Sequence, residues 1–343
     1  MHFGLGPFSM QLAAGSAKTQ AVLYREMLEE AELAEELGFD SVWIAEHHFA
    51  EDGMCPSPLI AASAIAARTS TIRIGTAMLL LPLYRPVQVA EDVAVLDNIC
   101  GGRLILGVGT GYRPEEFGGR GEARKGRGRR MEEQIRILLE AWTRDSFSFS
   151  GADYQVPEIS VAPKPFQKPH PPIWMGASTG AGLLRAARWA ESIVASSRHH
   201  LNDVKSHFAR YRDHLRELGK APKHCAVIRE VYVAETQARA EEEARGPIMQ
   251  VNAALFGKYA GVQPTTDDQG RRVADAASMT WEGYRERLMV GTPDHVIGEI
   301  EKYQREAGMD YLIATMDFPA ADRNHTLKSM RLFAREVMPH FRK

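Results

Sequence analysis

Apolar, strand-like runs recur at a constant spacing through the first half of the chain, and a helix-like segment separates each run from the next. The runs begin near residues 41, 72 and 103, which is a spacing of about 31 residues. One strand, one helix and two short connections need about that length. Because parallel strands are joined by such crossovers, the pattern predicts a parallel sheet covered by helices.

The same unit returns in the second half of the chain. Eight strand candidates, each followed by at least one helix candidate, are FGLGPF, SVWIAEH, IRIGTAMLLL, GRLILGVGTG, PIWMGAS, ESIVASS, CAVIREVYVAE and YLIATMDF. Eight strand–helix units predict an α/β fold of the (β/α)8 TIM-barrel type, with residues 1–343 as a single domain. An open doubly wound sheet is the alternative.

Two segments interrupt the repeat. Residues 145 to 171 are rich in Pro, Ser and aromatic residues, which predicts a hairpin-bearing insertion after strand 4. A longer insertion is expected near residues 237 to 290, because its centre, KYAGVQPTTDDQGRRVADAA, is polar, glycine-bearing and weakly periodic. We expect that segment to be a mobile loop over the barrel mouth or a partner surface.

Composition narrows the possible functions. The 42 basic and 44 acidic residues nearly cancel, which disfavours nucleic acid or an anionic membrane as the main partner. No window approaches the ~18 apolar residues of a membrane span, and MHFGLGPFSM lacks a basic region and cleavage site, so we expect a soluble cytoplasmic protein. Three widely spaced cysteines suit neither disulfides nor zinc and are predicted to be buried thiols; they are Cys55, Cys100 and Cys225.

The stretch IAEHHFAED lies at a strand end, where the chemistry of a barrel is found. Strand alternation puts Val42, Ile44 and Glu46 on one face and His47 on the other. Branched aliphatic residues suit the helix-facing side, so His47 is expected inside and His48 outside. Proton transfer and simple packing both remain open for these histidines, whereas a metal is disfavoured because H-E-x-x-H spacing is absent.

Two glycine-bearing stretches also follow strands. LGVGTGY, residues 106 to 112, has G-x-G-x-G instead of the dinucleotide pattern, yet its glycines let the backbone approach a flat ligand. GASTGAG, residues 176 to 182, opens a helix and offers backbone N–H groups and the hydroxyls of Ser178 and Thr179 to an anion. A plain helix cap is the alternative for this second stretch.

A basic run follows strand 4. GGRGEARKGRGRRMEEQ contains Arg120, Arg124, Lys125, Arg127, Arg129 and Arg130. The run is either a solvated charged loop or, through one or two of its arginines, a phosphate clamp. A phosphate site, a glycine-lined strand end and a histidine at the barrel mouth together suggest flavin mononucleotide (FMN).

These stretches together resemble the bacterial luciferase-like family of flavin-dependent oxidoreductases. The resemblance runs through GFDSVWIAEHHF, RTSTIRIGTAMLLLPLYRPVQVAEDVAVLDNICGGRLILGVGTGY, PKPFQKPHPPIWMGAS, GTPDHVIGEIEKY and LFAREVMPHF, and leaves only about 237 to 280 without a counterpart. It implies a (β/α)8 barrel, usually a homodimer, that binds reduced flavin at the strand C-terminal ends and often receives it from a separate flavin reductase.

The resemblance also implies roles for particular residues. It makes His47 catalytic, with Glu46 tuning or orienting it, and it places a non-proline cis peptide at Ala77–Met78 behind the flavin ring. The cofactor-binding set is Ala77, Met78, Gly109, Thr110, Tyr112, Arg127, Gly176, Ala177, Ser178 and Thr179, with Arg127, Ser178 and Thr179 at the phosphate. Gly109 and Thr110 replace the cysteine and arginine of luciferase itself, which indicates a different substrate.

The activity implied is a two-component monooxygenase, in which reduced FMN and O2 form a flavin hydroperoxide that oxygenates a small organic substrate. Two alternatives remain open: hydride transfer with a deazaflavin (coenzyme F420), whose anionic tail would suit the arginine-rich loop, and a non-catalytic flavin-binding protein. Candidates for the barrel mouth, each with core or loop packing as its alternative, are Phe8, Met10, Tyr112, His199, His200, Met316 and Phe318.

Overall fold

The computed structural model describes the backbone of residues 1–259, 265–266, 272–273 and 280–342, and the side chains of residues 1–251 and 280–342. Its strands are β1 (His2–Phe8), β2 (Ser41–Ile44), β3 (Arg73–Thr76), β4 (Leu79–Leu80), β5 (Leu104–Gly109), β6 (Phe147–Ser150), β7 (Gln155–Ile159), β8 (Ile173–Gly176), β9 (Ser192–Ala195), β10 (His224–Val233), β11 (Thr265–Thr266), β12 (Arg272–Val273), β13 (Met289–Gly291) and β14 (Tyr311–Thr315). Its helices are α1 (Gln20–Glu36), α2 (Pro58–Arg68), α3 (Pro86–Ile99), α4 (Pro114–Gly119), α5 (Arg127–Thr143), α6 (Gly180–Trp189), α7 (Leu201–Glu217), α8 (Gln237–Tyr259), α9 (Trp281–Arg285), α10 (Pro293–Ala307) and α11 (Arg323–Leu332).

Eight of these strands form one closed parallel barrel. Their order is β1, β2, β3, β5, β8, β9, β10 and β14, and β14 pairs with β1 to complete the ring. They coincide with the eight strand candidates, so the (β/α)8 barrel is confirmed and the open sheet is wrong. Closure brings the C-terminal ends of all eight strands to one rim.

Several helices begin where the sequence supplies a capping side chain, and the helices cover the barrel. The side chain of Thr19 accepts a hydrogen bond from the Val22 N–H at the start of α1, and Thr292 caps α10 in the same way. Such caps satisfy N–H groups that have no partner within the helix. The apolar helix faces pack on the outside of the barrel against residues such as Val42 and Ile44, as strand alternation predicted.

Trp43 fills the inside of the barrel. Its ring centroid lies 5.1 Å from that of Trp174, and its Nε1 donates to the Ser41 hydroxyl at 2.6 Å. Glycines on the neighbouring strands make room for the ring: an added Cβ would lie 2.3 Å from Trp43 Cε3 at Gly75 and 2.5 Å from Nε1 at Gly4. The barrel interior is therefore packed around the indoles of Trp43 and Trp174.

The two insertions differ in how well the sequence predicted them. Residues 145 to 171 contain the antiparallel hairpin of β6 and β7, with Phe149 opposite Val156, which confirms the first prediction. The second segment begins with α8, where Ala240 and Ala244 pack with Trp281 of α9, so the expectation of a loop is wrong for residues 237–251. Small apolar residues at helical spacing explain this helix. Most of KYAGVQPTTDDQGRRVADAA lies outside the described residues.

The cysteines are buried, as predicted. Cys55, Cys100 and Cys225 are free thiols, and burial raises the pKa of each one, to about 11 for Cys225. Raised pKa values keep the sulfur atoms protonated and unreactive. Within the described part of the chain, no helix has both the length and the apolar content needed to cross a membrane.

Gly75→Ala is expected to destabilise the barrel, because its methyl group would overlap the Trp43 ring. Overpacking of this kind costs about 1–3 kcal/mol in the free energy of unfolding, measurable by urea denaturation. Gly298→Ala is the control, since nothing lies within 4 Å of an added Cβ at this position inside α10, and alanine there should be neutral or stabilising. Equal stability of the two variants would contradict the packing around Trp43.

Candidate active site

His47 lies just beyond the end of β2, at the rim of the barrel. Its backbone N–H donates to the carbonyl of Cys55 at 3.0 Å, and its side chain is 15% exposed. Its Nδ1 lies 2.8 Å from Oε1 of Glu116, a buried carboxylate on α4. Because a carboxylate accepts hydrogen bonds, neutral His47 donates its Nδ1–H to Glu116 and keeps Nε2 for proton exchange.

The second histidine belongs to a different hydrogen-bond network. His48 is 3% exposed, and its Nε2 lies 2.6 Å from Oε1 of Glu46. Glu46 also accepts from the Tyr84 hydroxyl at 2.8 Å and from the Leu80 N–H at 2.8 Å, so it fixes the segment that follows β3. The sequence assigned Glu46 to orient His47, but the carboxylate in contact with His47 is Glu116.

Burial is the main cause that lowers the pKa of His47 below its usual 6.5. The hydrogen bond to Glu116 opposes this shift, whereas the positive charges of Arg113 and Arg198 add to it. His47 is therefore an uncharged imidazole near neutral pH and can either accept or donate a proton at the barrel mouth.

Tyr112 lies between His47 and the two arginines. Its ring centroid is 5.8 Å from that of His47, 5.8 Å from Arg113 Cζ and 5.5 Å from Arg198 Cζ. The sequence identified Tyr112 and His47 but missed Glu116, Arg113 and Arg198. The available signal was the stretch RPEEF directly after GTGY, which puts an arginine and a glutamate at the end of strand 4.

A wall of small residues adjoins this group. The Ala77–Met78 peptide is cis, where the resemblance placed it, and the Ala77 N–H donates to the Ile44 carbonyl at 2.7 Å. An added Cβ at Gly109 would lie 3.1 Å from Met78 Cβ, and one at Gly176 would lie 3.1 Å from Met78 Cγ. The two glycines therefore let the Met78 side chain pack directly against the ends of β5 and β8, where an added Cβ would crowd it.

Cationic groups meet at the starts of α5 and α6. The Arg127 Nε donates to the Gly111 carbonyl at 3.1 Å, and burial followed by neighbouring arginines lowers the pKa of Arg127. Arg185 of α6 lies against Gly128, and Thr179 caps α6. Guanidinium groups beside a helix N-terminus fit a phosphate. Three other predicted binding residues are half-buried at this rim; they are Thr110, Ala177 and Ser178.

Most candidates for the barrel mouth have packing roles instead. The six that pack or cap are Phe8, Met10, His199, His200, Met316 and Phe318. The apolar members lie in the hydrophobic cores, one histidine packs edge-on against His207, and the other caps α7. Tyr112 is the candidate that contacts His47 among the described residues.

Comparison with known proteins gives the family. A family model described as luciferase-like monooxygenase matches residues 1–311. The chain belongs to the luciferase-like monooxygenase family. The oxygenase component of the flavin-dependent trigonelline monooxygenase of Acinetobacter baylyi is 25% identical, over 94% of this chain and 91% of that protein. The structure of monooxygenase RslO1 from Streptomyces bottropensis superposes with a TM-score of 0.88 at 27% identity, over 99% of this chain and 100% of that one.

Other relatives match over a shorter range. The uncharacterized protein y4vJ of Sinorhizobium fredii is 35% identical, over 56% of this chain and 55% of that protein. An F420-dependent glucose-6-phosphate dehydrogenase of Amycolatopsis mediterranei is 32% identical, over 50% of this chain and 54% of that protein. The chain thus spans about half the length of these two relatives, and the named relatives include flavin-dependent and F420-dependent enzymes.

Glu116→Gln is expected to lower the pKa of His47 further, because the hydrogen bond and the negative charge of Glu116 both raise it. Titration of the His47 imidazole signals by NMR measures this, with the signals assigned through His47→Asn. In the wild type the pKa should lie below 6.5, so that protonation of this group destabilises the fold as the pH drops below 6.5.

The matched control is Glu51→Gln, which removes an exposed carboxylate four residues from His47 and should leave its titration unchanged. An increase in the His47 pKa in Glu116→Gln would contradict the assigned pairing.

Proposed function

We propose that this chain is the oxygenase component of an FMN-dependent, two-component monooxygenase that uses O2 to oxygenate a small organic substrate. The observation that carries this proposal is the uncharged His47, held by Glu116 at the rim of the barrel. The flavin-dependent relative from Acinetobacter baylyi, aligned over 94% of the chain, supports the same reading.

The proposed cofactor site extends from the Met78 wall to the start of α6. Gly109 and Gly176 would admit the flat ring beside Met78, and Arg127 with Thr179 would hold the phosphate. When bound, reduced FMN supplies the electrons that activate O2.

The protein's own contribution is to position and exchange a proton. Glu116 fixes the imidazole of His47 through Nδ1, which directs Nε2 away from that hydrogen bond. His47 can then donate a proton from Nε2 as an imidazolium or take one as a neutral base, and its lowered pKa favours the base at neutral pH. Burial of Glu116 and Arg113 limits the water near this group.

Hydride transfer with a deazaflavin is the second candidate. Two observations favour it: the 32% identity with the F420-dependent dehydrogenase of Amycolatopsis mediterranei, and the exposed Arg120 and Arg124 of the basic run that contains Arg127, which could pair with a longer anionic tail. The same His47 and Glu116 would then serve a proton step that accompanies the hydride transfer.

The proposal also includes a flavin reductase, which would donate the reduced FMN. It further includes a cytoplasmic location for the protein. A two-component system needs such a donor, and the relative from Acinetobacter baylyi is itself named as an oxygenase component. Three free, buried cysteines suit a reducing compartment, which favours the cytoplasm.

The cofactor experiment compares reduced FMN with reduced deazaflavin by anaerobic equilibrium dialysis. FMN should bind at least about 10-fold more tightly, because the surface around Met78 suits its ring and Arg127 with Thr179 suit its phosphate.

His47→Ala should bind FMN as well as the wild type does and should lower turnover about 100-fold or more, because it removes the proton-exchanging group. Turnover is measured as incorporation of isotopically labelled O2 into product.

Three outcomes would overturn parts of this proposal. Tight binding of deazaflavin with weak binding of FMN would replace the monooxygenase by the hydride-transfer enzyme. Unchanged oxygen incorporation in His47→Ala would remove His47 from the mechanism. FMN binding without any oxygen incorporation would indicate the non-catalytic flavin-binding protein.

We also propose that two copies associate through α2 and α3. Ile60 is 73% exposed, and Val95 and Ile99 are 44% and 54% exposed on the neighbouring helix. A two-fold axis would pack this apolar face against its own copy and remove it from water.

Sedimentation velocity tests the association. The wild type should sediment as a dimer, whereas Ile60→Glu combined with Ile99→Glu should give a monomer, because charges would enter the apolar contact. Leu218→Glu, at an exposed apolar residue that follows α7, is the control and should remain a dimer. A dimeric double variant would contradict the proposed interface.

A further inference from the structure

Met78 differs from most other methionines of the chain in exposure and in position. Of the 14 methionines in the sequence, ten are buried, with at most 8% of their surface exposed. Among the residues whose side chains the structure describes, the partly exposed methionines are Met1, Met78 and Met249. Met78 is the one of these three that follows a barrel strand, since it comes two residues after the end of β3. Its thioether therefore stands at the rim, within reach of small oxidants.

The Met78 side chain covers the packed interior of the barrel. It packs against the cluster that contains Trp43 and Trp174. Its sulfur lies against glycines of two strands: a Cβ added at Gly107 would lie 3.2 Å from Met78 Sδ, and one added at Gly176 would lie 3.6 Å from the same atom. The thioether is thus seated in a groove between β5 and β8 that side chains at these two positions would fill.

The backbone that forms this groove is held in place. Thr76 Oγ1 donates to the Gly107 carbonyl at 2.7 Å and accepts from the Gly107 N–H at 3.0 Å, which fixes β5 to the end of β3. Gly107 also pairs with Trp174 in the ladder between β5 and β8. Because the groove cannot widen, an oxygen atom added to the sulfur has to project toward the open rim. It would then place a polar group on the surface where the flavin ring is proposed to lie.

We propose that Met78 is an oxidation site, at which hydrogen peroxide converts the thioether to a sulfoxide and thereby weakens flavin binding. The sulfur attacks one peroxide oxygen, so that a sulfur–oxygen bond forms and the O–O bond breaks. The other oxygen leaves as water after it takes the proton of the transferred oxygen, and the two electrons lost by the sulfur reduce the peroxide. Methionine sulfoxide is polar and bulkier than methionine, which makes the surface beside Gly176 a poor support for a flat ring.

The peroxide has a source in the proposed function, on which this inference rests in that respect. When no substrate is present, O2 takes two electrons and two protons from reduced FMN, and the products are hydrogen peroxide and oxidised FMN. Peroxide formed in this way arises beside Met78. Turnover without substrate would therefore block the cofactor site through its own by-product.

Peptide mass spectrometry locates the oxidation after brief exposure of the cofactor-free protein to hydrogen peroxide. Met78 should form sulfoxide at least about 10-fold faster than Met175, because susceptibility follows exposure and Met175 on the neighbouring strand β8 is 1% exposed. The FMN-loaded protein, reduced without air and then exposed to O2 in repeated cycles, should form the same sulfoxide without added peroxide. Its absence after these cycles would overturn the by-product as the source.

Equilibrium dialysis then measures FMN affinity before and after the same peroxide treatment. The treated wild type should bind FMN about 10-fold or more weakly than the untreated protein. Met78→Leu keeps an apolar side chain of similar volume, and treatment should leave its affinity at its own untreated value. The matched control is Met249→Leu, which removes a partly exposed thioether from α8 and should lose affinity on treatment as the wild type does.

Three results would overturn the oxidation site: equal rates at Met78 and Met175, unchanged FMN affinity once Met78 is a sulfoxide, or an equal loss of affinity in treated Met78→Leu. If Met78→Leu fails to fold, the wild type still decides, since sulfoxide content and lost affinity should rise together with the peroxide dose. A protein that takes up only deazaflavin, and loses that affinity when Met78 is oxidised, would refute the monooxygenase proposal and leave this site standing. The two failures are therefore distinguishable.

Discussion

Two buried carboxylates, each paired with one of two adjacent histidines, determine the structure of the barrel rim. Glu46 accepts hydrogen bonds from the Leu80 N–H and the Tyr84 hydroxyl and lies 2.6 Å from His48 Nε2, so it fixes the segment after β3 to the segment after β2. A buried polar group that loses its hydrogen-bond partner costs free energy, and removal of the Glu46 carboxylate would take the partner from His48, Leu80 and Tyr84 together. The wall around Met78 depends on this connection.

Glu116 has the equivalent role for His47, the other histidine of the pair. It accepts the His48 N–H and lies against His47 Nδ1, so a helix after β5 sets the orientation of a side chain after β2. Adjacent histidines thereby acquire different tasks: His48 is buried and structural, whereas His47 is uncharged and partly exposed.

The sequence predicted the barrel well because strand spacing and alternation are local. Val42 and Ile44 lie on the outer, helix-facing side that the pattern indicated. Alternation ceases to apply where β2 ends at Ile44, and so it could not show which carboxylate would meet His47. Glu116 is 69 positions away, and its contact arises only when the barrel closes.

Other residues escaped prediction for similar reasons. Phe8, Met10 and Met316 stand near strand ends, yet their apolar side chains turn into the core, where burial outweighs position. Arg198 was not among the predicted site residues, because arginines are seldom buried. The contacts that Arg229 and Arg287 make with backbone carbonyls of its segment hold that segment at the rim.

The most direct measurement is rapid mixing of the anaerobically reduced, FMN-loaded protein with O2, followed by absorbance spectroscopy. If the rim holds reduced FMN beside His47 and limits water there, a transient spectrum should form that belongs neither to reduced nor to oxidised FMN. A single-step return to oxidised FMN, at the rate of free FMN in solution, would contradict the account.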